Sequence, residues 1–183
     1  KLTPNLAHAL SVFGIARDIS AAKASEAALR DSESRLSLAL RGGDLGLWDW
    51  DLVSDRMEVN ERWKTMLGMA PDAEVRSHAA WAERVHPDDQ ARLQHLASAI
   101  FEAPGQDDFS IEVRARTQAG DWIWIHDSGA VVARDTQGKA LRAVGTHADV
   151  TTRKNVLREL QHERIRLERI LAGPDVGTRE RNV

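Results

Sequence analysis

Cysteine is absent from all 183 residues. That excludes a disulfide framework, thiolate metal sites, a cysteine nucleophile and any cysteinyl cofactor adduct, and it fits a cytoplasmic location. A surplus of basic charge is absent too: 25 Lys and Arg stand against 28 Asp and Glu, a net charge of -3 with both signs interspersed. Nucleic acid is therefore not an expected partner. No apolar run reaches the roughly 18 to 20 residues that span a bilayer, and "KLTPNLAHAL" at the start lacks the layout of a signal peptide, so no membrane contact is expected from these residues. Lys1 in place of an initiator Met is read as a sign that the sequence was cut from a longer parent, which leaves room for an anchor elsewhere.

Signatures of catalysis are missing as well. There is no Gly-rich phosphate loop with a following Lys, no nucleophile elbow and no kinase signature. The carboxylate pairs Asp88 with Asp89 and Asp107 with Asp108 are sequence neighbours, and neighbours do not converge on one substrate atom. No enzyme activity is expected of this stretch itself.

What is present is a globular composition, 42% hydrophobic and 29% charged, with room for one well-cored domain plus flanking segments. An internal repeat organises it. Shifted by 131 residues, Gly14 falls on Gly145, Asp18 on Asp149, Lys23 on Lys154 and Leu29 on Leu160. Arg35 and Leu36 fall on Arg166 and Leu167, Leu40 on Leu171, and Gly42, Asp44 and Gly46 on Gly173, Asp175 and Gly177, without a gap. The repeat predicts one full unit framed by the end of another and the start of a third. Each junction has the same order: a β-type ending ("FGIARDIS" or "VGTHADVT"), a charged helical stretch, then Gly and a new strand.

The linker after the second junction, Thr152 to Ala172, has no Gly or Pro and is rich in Arg, Glu and Leu. Leu157, Leu160, Leu167 and Leu171 follow a 3-4 spacing interrupted by Arg164, which suits either a dimeric coiled-coil contact or packing on the helix's own domain. Between the linkers, "LGLWDWDLV" alternates, placing Trp48, Trp50 and Leu52 on one face and Asp49 and Asp51 on the other, the mark of a half-buried strand. "NERWKTMLGM" reads as a short helix with Asn60 as N-cap, "HAAWAERV" as a turn or two of helix, and Pro87 to Ala103 as a longer one opened by Pro87, Asp88 and Asp89. Three β runs follow, "FSIEVRART", "WIWIHDSGAVVARD" and "ALRAVGTHADV", separated by turns at 118–121 and 136–139, so they are expected to pair antiparallel.

"GLWDWDL", "NERWKTMLG", "VHPDDQARL" and "WIWIHDSGAVVARDTQGKALRAVGTHADVTTRK" resemble the S-box and C-terminal PAC part of bacterial PAS sensors, across roughly residues 36 to 154. The resemblance implies an α+β PAS fold: a five-stranded antiparallel sheet with helices on one face, flanked by N- and C-terminal linker helices. It divides the chain into the end of a preceding PAS/PAC unit (1–20), a linker helix (21–41), a complete PAS/PAC domain (42–151), a signalling helix (152–172) and the truncated start of a next unit (173–183). It implies a sensory or signal-relay module within a tandem array, with an effector domain in the same chain. The resemblance leans toward a diguanylate cyclase carrying a GGDEF domain, with a sensor histidine kinase or a ligand-free dimerisation scaffold as alternatives. A homodimer through the linker helices and adjacent PAS units is the expected assembly.

The candidate coupling residues are Asp149, Thr151, Arg153 and Lys154. Asp149 precedes the helix start, where its carboxylate can meet the dipole or pair with Arg153 or Lys154, and Thr151 or Thr152 can cap the first turn. Trp48, Trp50, Trp63 and Trp81 are candidates for lining either a pocket or the plain core. Trp122 and Trp124 share a strand face suited to a partner or flanking helix. His86, His126 and His147 do not form the closely spaced ligand set of a zinc or iron site, so no metal is expected. For the cofactor, the first expectation is none, ahead of a small organic ligand, a noncovalent flavin or haem.

Overall fold

A computed structural model describes residues 4–102 and 105–171, with side chains described from residue 21 onward. Its contacts divide the chain into two units, 1–45 and 46–183. The first unit is one helix, α1 (Pro4–Gly42). It covers the expected linker, but it also covers residues 13–20, where a β-type ending was expected; "FGIARDIS" is helical here. A strand bonds only to a neighbouring strand, whereas a helix satisfies its interior N–H and C=O groups within its own segment. The same repeated motif is thus helix in one copy and strand in the other. The expected opening of a next unit, 173–183, lies outside the described residues.

The second unit is an antiparallel five-stranded sheet in the order β2-β1-β5-β4-β3, with helices on one face. Strand β1 (Gly46–Asp51) pairs with β2 (Arg56–Val59) and with β5 (Ala140–Asp149), which pairs with β4 (Trp122–Arg134), which pairs with β3 (Asp108–Arg116). The sequence reading expected five strands and located four. The one it passed over is β2, four residues whose only signal is Met57 and Val59 facing in while Arg56 and Glu58 face out.

Short helices fill the span between β2 and β3. α2 (Glu61–Met66) starts where expected: the Asn60 side chain accepts from the Trp63 N–H at 2.9 Å, a cap worth about 1 kcal/mol. α3 (Ala79–Ala82) buries Trp81. α4 (Pro87–Ala97) carries Pro at its first position and Asp88 and Asp89 in its first turn, and His86 Nδ1 caps it by accepting from the Asp88 N–H. The expected helix continues as a π-helical turn, Ser98–Glu102. The core lies between these helices and the inner sheet face, where Trp48, Trp63, Trp81, Leu67, Val113 and Ile125 are buried. α5 (Thr151–Leu171) leaves the end of β5 and buries none of its residues.

Candidate functional site

The inner sheet face supports a small cavity. Trp48 lies flat across the paired glycines Gly129 and Gly145; a Cβ on Gly129 would sit 2.7 Å from the Trp48 ring, so only glycine lets the ring approach. Phe109 stacks on Trp48 with ring centres 5.9 Å apart, and Phe101 meets both Phe109 and Trp50 edge-on. Leu93 and Ala97 of α4, and Ile100 of the π turn, close the opposite wall. The enclosed volume is about 40 Å³. That is room for a few atoms, well short of the roughly 300 Å³ at which pockets for drug-sized ligands begin.

Two polar side chains lie buried at the floor. Asp127 and His147 are cross-strand partners on β4 and β5, and His147 Nε2 lies 3.2 Å from Asp127 Oδ1. The same oxygen accepts from the Trp48 indole N–H at 3.1 Å. His147 sits among aromatic rings, 4.2 Å from Trp81 and 5.9 Å from Trp63. At the rim, His78 stacks on Trp50 at 4.1 Å, nearly parallel. Desolvation holds the His78 imidazole below its ordinary pKa, against the opposing pull of Asp55 and Asp127.

Of the four tryptophans proposed as pocket or core, Trp48, Trp50 and Trp81 line the cavity, while Trp63 is wholly in the core. The Asp127–His147 pair was missed, because each histidine was examined along its own strand. The signal was present: a turn at 136–139 fixes the hairpin register to within a residue and sets His147 opposite Asp127 or its neighbour. His78, Met57 and the α4 residues carry no such signal and join the cavity only through tertiary packing.

The second constellation lies on the outer face, where β5 becomes α5. Asp149 Oδ1 accepts from the Thr151 N–H at 2.8 Å, satisfying a helix-terminal donor. Thr151 turns its hydroxyl outward from that turn: its Oγ1 accepts from the Trp124 N–H at 2.8 Å, and Trp124 C=O accepts from the Val150 N–H at 2.8 Å. Arg153 and Lys154 do not pair with Asp149. Both bind Glu112 of β3, and their hydrogen bonds, Lys154 first, hold its carboxyl below the usual range. Lys154 Nζ also lies 4.9 Å over the Trp124 ring, with Arg114 on the same ring at 5.5 Å. Trp124 is therefore covered by the chain's own cations, whereas Trp122 is exposed beside His86. Leu157, Leu160, Leu167 and Leu171 are all exposed along α5.

Among the described residues no three His or carboxylate groups converge on a metal position, and no helix is long and apolar enough to cross a membrane.

A family model described as "PAS fold" matches residues 56–147, from β2 to the buried His147. The chain belongs to the PAS fold family. The PAS unit is similar to a sensory box histidine kinase/response regulator from Burkholderia thailandensis, 31% identical with a TM-score of 0.62, covering 74% of this chain and 98% of that one. Sensor protein FixL of Bradyrhizobium diazoefficiens is 29% identical over 132 residues, 72% of this chain and 25% of FixL. The non-motile and phage-resistance protein of Caulobacter vibrioides is 31% identical over 122 residues, 66% of this chain and 14% of that protein. The chain thus spans a quarter or less of the length of these two relatives. The N-terminal domain of a diguanylate cyclase with PAS/PAC sensor from Marinobacter aquaeolei shares the fold at 23% identity and a TM-score of 0.51, covering 60% of this chain and 98% of that one. The chain is a PAS sensory module of the kind found in signalling proteins.

Proposed function

We propose that this PAS unit relays a change at its cavity to α5, and through α5 to an effector domain of the same protein. One observation carries the reading: the floor of the cavity and the anchor of the helix are on the same two strands. Asp127 is three residues from Trp124, and His147 is two residues from Asp149. At about 3.3 Å per residue the two sites are within roughly 10 Å along the strands. A shift of β4 against β5 that repositions Asp127 and His147 therefore also repositions the donor of Trp124 and the acceptors of Thr151 and Asp149. A two-state change at the cavity is thereby converted into a change in how α5 leaves the sheet. The 131-residue repeat supports placing the unit in a tandem array, with 1–20 and 173–183 as parts of its neighbours, and the apolar rows of both linkers, Ala22, Leu29, Leu36 and Leu40 in the first and Leu157, Leu160, Leu167 and Leu171 in the second, support a homodimer through the helices.

For the effector, the identity to the Burkholderia thailandensis protein supports a histidine kinase, and the resemblance of the linker and repeat start supports a diguanylate cyclase as the second reading. Incubating the full-length parent with labelled ATP and with GTP distinguishes them: phosphoprotein marks a kinase, cyclic di-GMP a cyclase. The relay itself is tested by Asp149→Ala with Thr151→Val in the parent. Output should become insensitive to the stimulus while the unit stays folded; regulation that survives intact refutes the relay.

A further inference from the structure

We propose that the cavity is a receptor site for a small organic amine, bound as its ammonium ion, which names the signal for the relay proposed above. The argument begins at the Asp127 carboxylate. Its Oδ1 is shared by the Trp48 indole N–H and His147 Nε2, and the described residues bring no donor to Oδ2. Asp127 nevertheless lines the cavity while being 5% exposed. A carboxylate oxygen without a donor, on a side chain that lines a cavity, can take one from a ligand there, and a charged donor serves it best.

The remaining wall narrows the chemistry. No Lys or Arg lines the cavity, so no permanent cation there neutralises an anion, and a carboxylate or phosphate ligand would meet the Asp127 side chain. Aromatic rings surround the space, with Trp48, Trp50, Trp81, Phe101 and Phe109 all reaching it. Ring faces attract a cation most strongly when it is desolvated, and indole is the best of them. A hydrocarbon would fill the volume but offer no donor to Oδ2. A neutral alcohol would serve Oδ2 but gain nothing from the rings. An ammonium group on a short alkyl body satisfies both, and the volume of about 40 Å³ restricts that body to about one or two carbon atoms.

The rim completes the recognition. His78 stands at the cavity on Trp50, and desolvation disfavours its charged form, so it does not oppose the entering cation near neutral pH. The other groups facing the space are Asp127 and His147 alone.

Isothermal titration calorimetry on the 183-residue chain tests this with methylammonium, methanol and formate, three probes small enough for the cavity and different in charge. The ammonium should bind at least about tenfold more tightly than the alcohol, and formate should not bind. Asp127→Asn should abolish that preference, bringing the ammonium to within about twofold of the alcohol in the same variant. Ala97→Leu, which fills the cavity and leaves Asp127 in place, should weaken the ammonium at least about tenfold. The proposal is overturned by equal affinity for ammonium and alcohol, by no binding of any probe, or by ammonium binding that survives Ala97→Leu. The wild-type comparison decides even where Asp127→Asn fails to fold. None of these outcomes bears on the Asp149 and Thr151 test, so the ligand can fail while the relay stands, and the reverse.

Discussion

Helices α4 and α5 are each clamped to the outer edge of β3 by a carboxylate and a guanidinium or ammonium group, but with the signs exchanged. On α4 the helix supplies the acid: Asp89 in its first turn accepts from Arg114 of β3 through Nε at 2.9 Å and from the Arg114 backbone N–H at 3.0 Å. On α5 the helix supplies the bases, Arg153 and Lys154, and β3 supplies Glu112, two residues before Arg114. An acid in a first turn is favoured by the helix dipole, whereas bases there are opposed by it, and α5 has no acid in its first turn. Asp89 is buried, while Arg153 is more than half exposed. The difference teaches which helix is fixed and which is a lever. α4 is built into the wall of the cavity; α5 starts against its own dipole and depends on Glu112, Asp149 and Thr151 to stay seated.

The comparison can be broken most severely at the core that α4 closes. Trp63→Ala, which empties a site only 1% exposed, should cost about 3–5 kcal/mol in chemical denaturation and remove most of the unit's stability. Asp89→Ala should cost about 2 kcal/mol, below the usual figure for a buried pair because Arg114 keeps 28% of its side chain in solvent. Hydrogen bonds from Arg114 hold the Asp89 carboxyl below its ordinary value, so its contribution is complete above about pH 4 and is lost as acid takes the pH through the lower folded value. A wild-type acid transition that coincides with that of Asp89→Ala would contradict the clamp.

On α5 the same measurements should give smaller numbers. Glu112→Gln with Thr151→Val is expected to change folding stability by about 1 kcal/mol while raising amide exchange in the first turn of α5 at least about fivefold. Equal exchange in variant and wild type would mean that the helix is held by something else. Leu160→Asp with Leu167→Asp should leave monomer stability within about 0.5 kcal/mol, since both are exposed, and should lower the sedimentation coefficient if α5 mediates a dimer. The smallest effect is expected at His78. Its folded-state value is lowered, so the unfolded chain takes up the proton first, and stability should decline as pH falls below about 6.5; His78→Gln should flatten that decline.

Much of this architecture was legible in the residues because period and punctuation agree. The alternation of "LGLWDWDLV", the Asn60 cap and the Pro87 start all specify local structure that the tertiary fold then keeps. The helical state of residues 13–20 and the strand at 56–59 were not legible. In the first, a motif identical in pattern to the end of β5 lacks the neighbours that make β5 a strand; in the second, four residues give too short a window for a period to register. At the site, local logic left Asp149 either to the helix terminus or to Arg153 and Lys154; the structure has the first, and the two bases go to Glu112. Glu112 is about forty residues away and reaches them only because β3 runs beside β4.

The position of β5 has one further consequence. It is the middle strand of the five, bonded on both sides, and α5 continues from its end. Bonds in an antiparallel ladder lie across the strands. Tension drawn through α5 along β5 therefore loads both ladders in shear, all their rungs together, instead of opening them one at a time. This makes the exit point a mechanical fastening, able to bear load drawn through α5 without the sheet tearing. Single-molecule pulling through α5 should show one abrupt, high-force rupture, and gradual low-force unzipping would show the fastening to be absent.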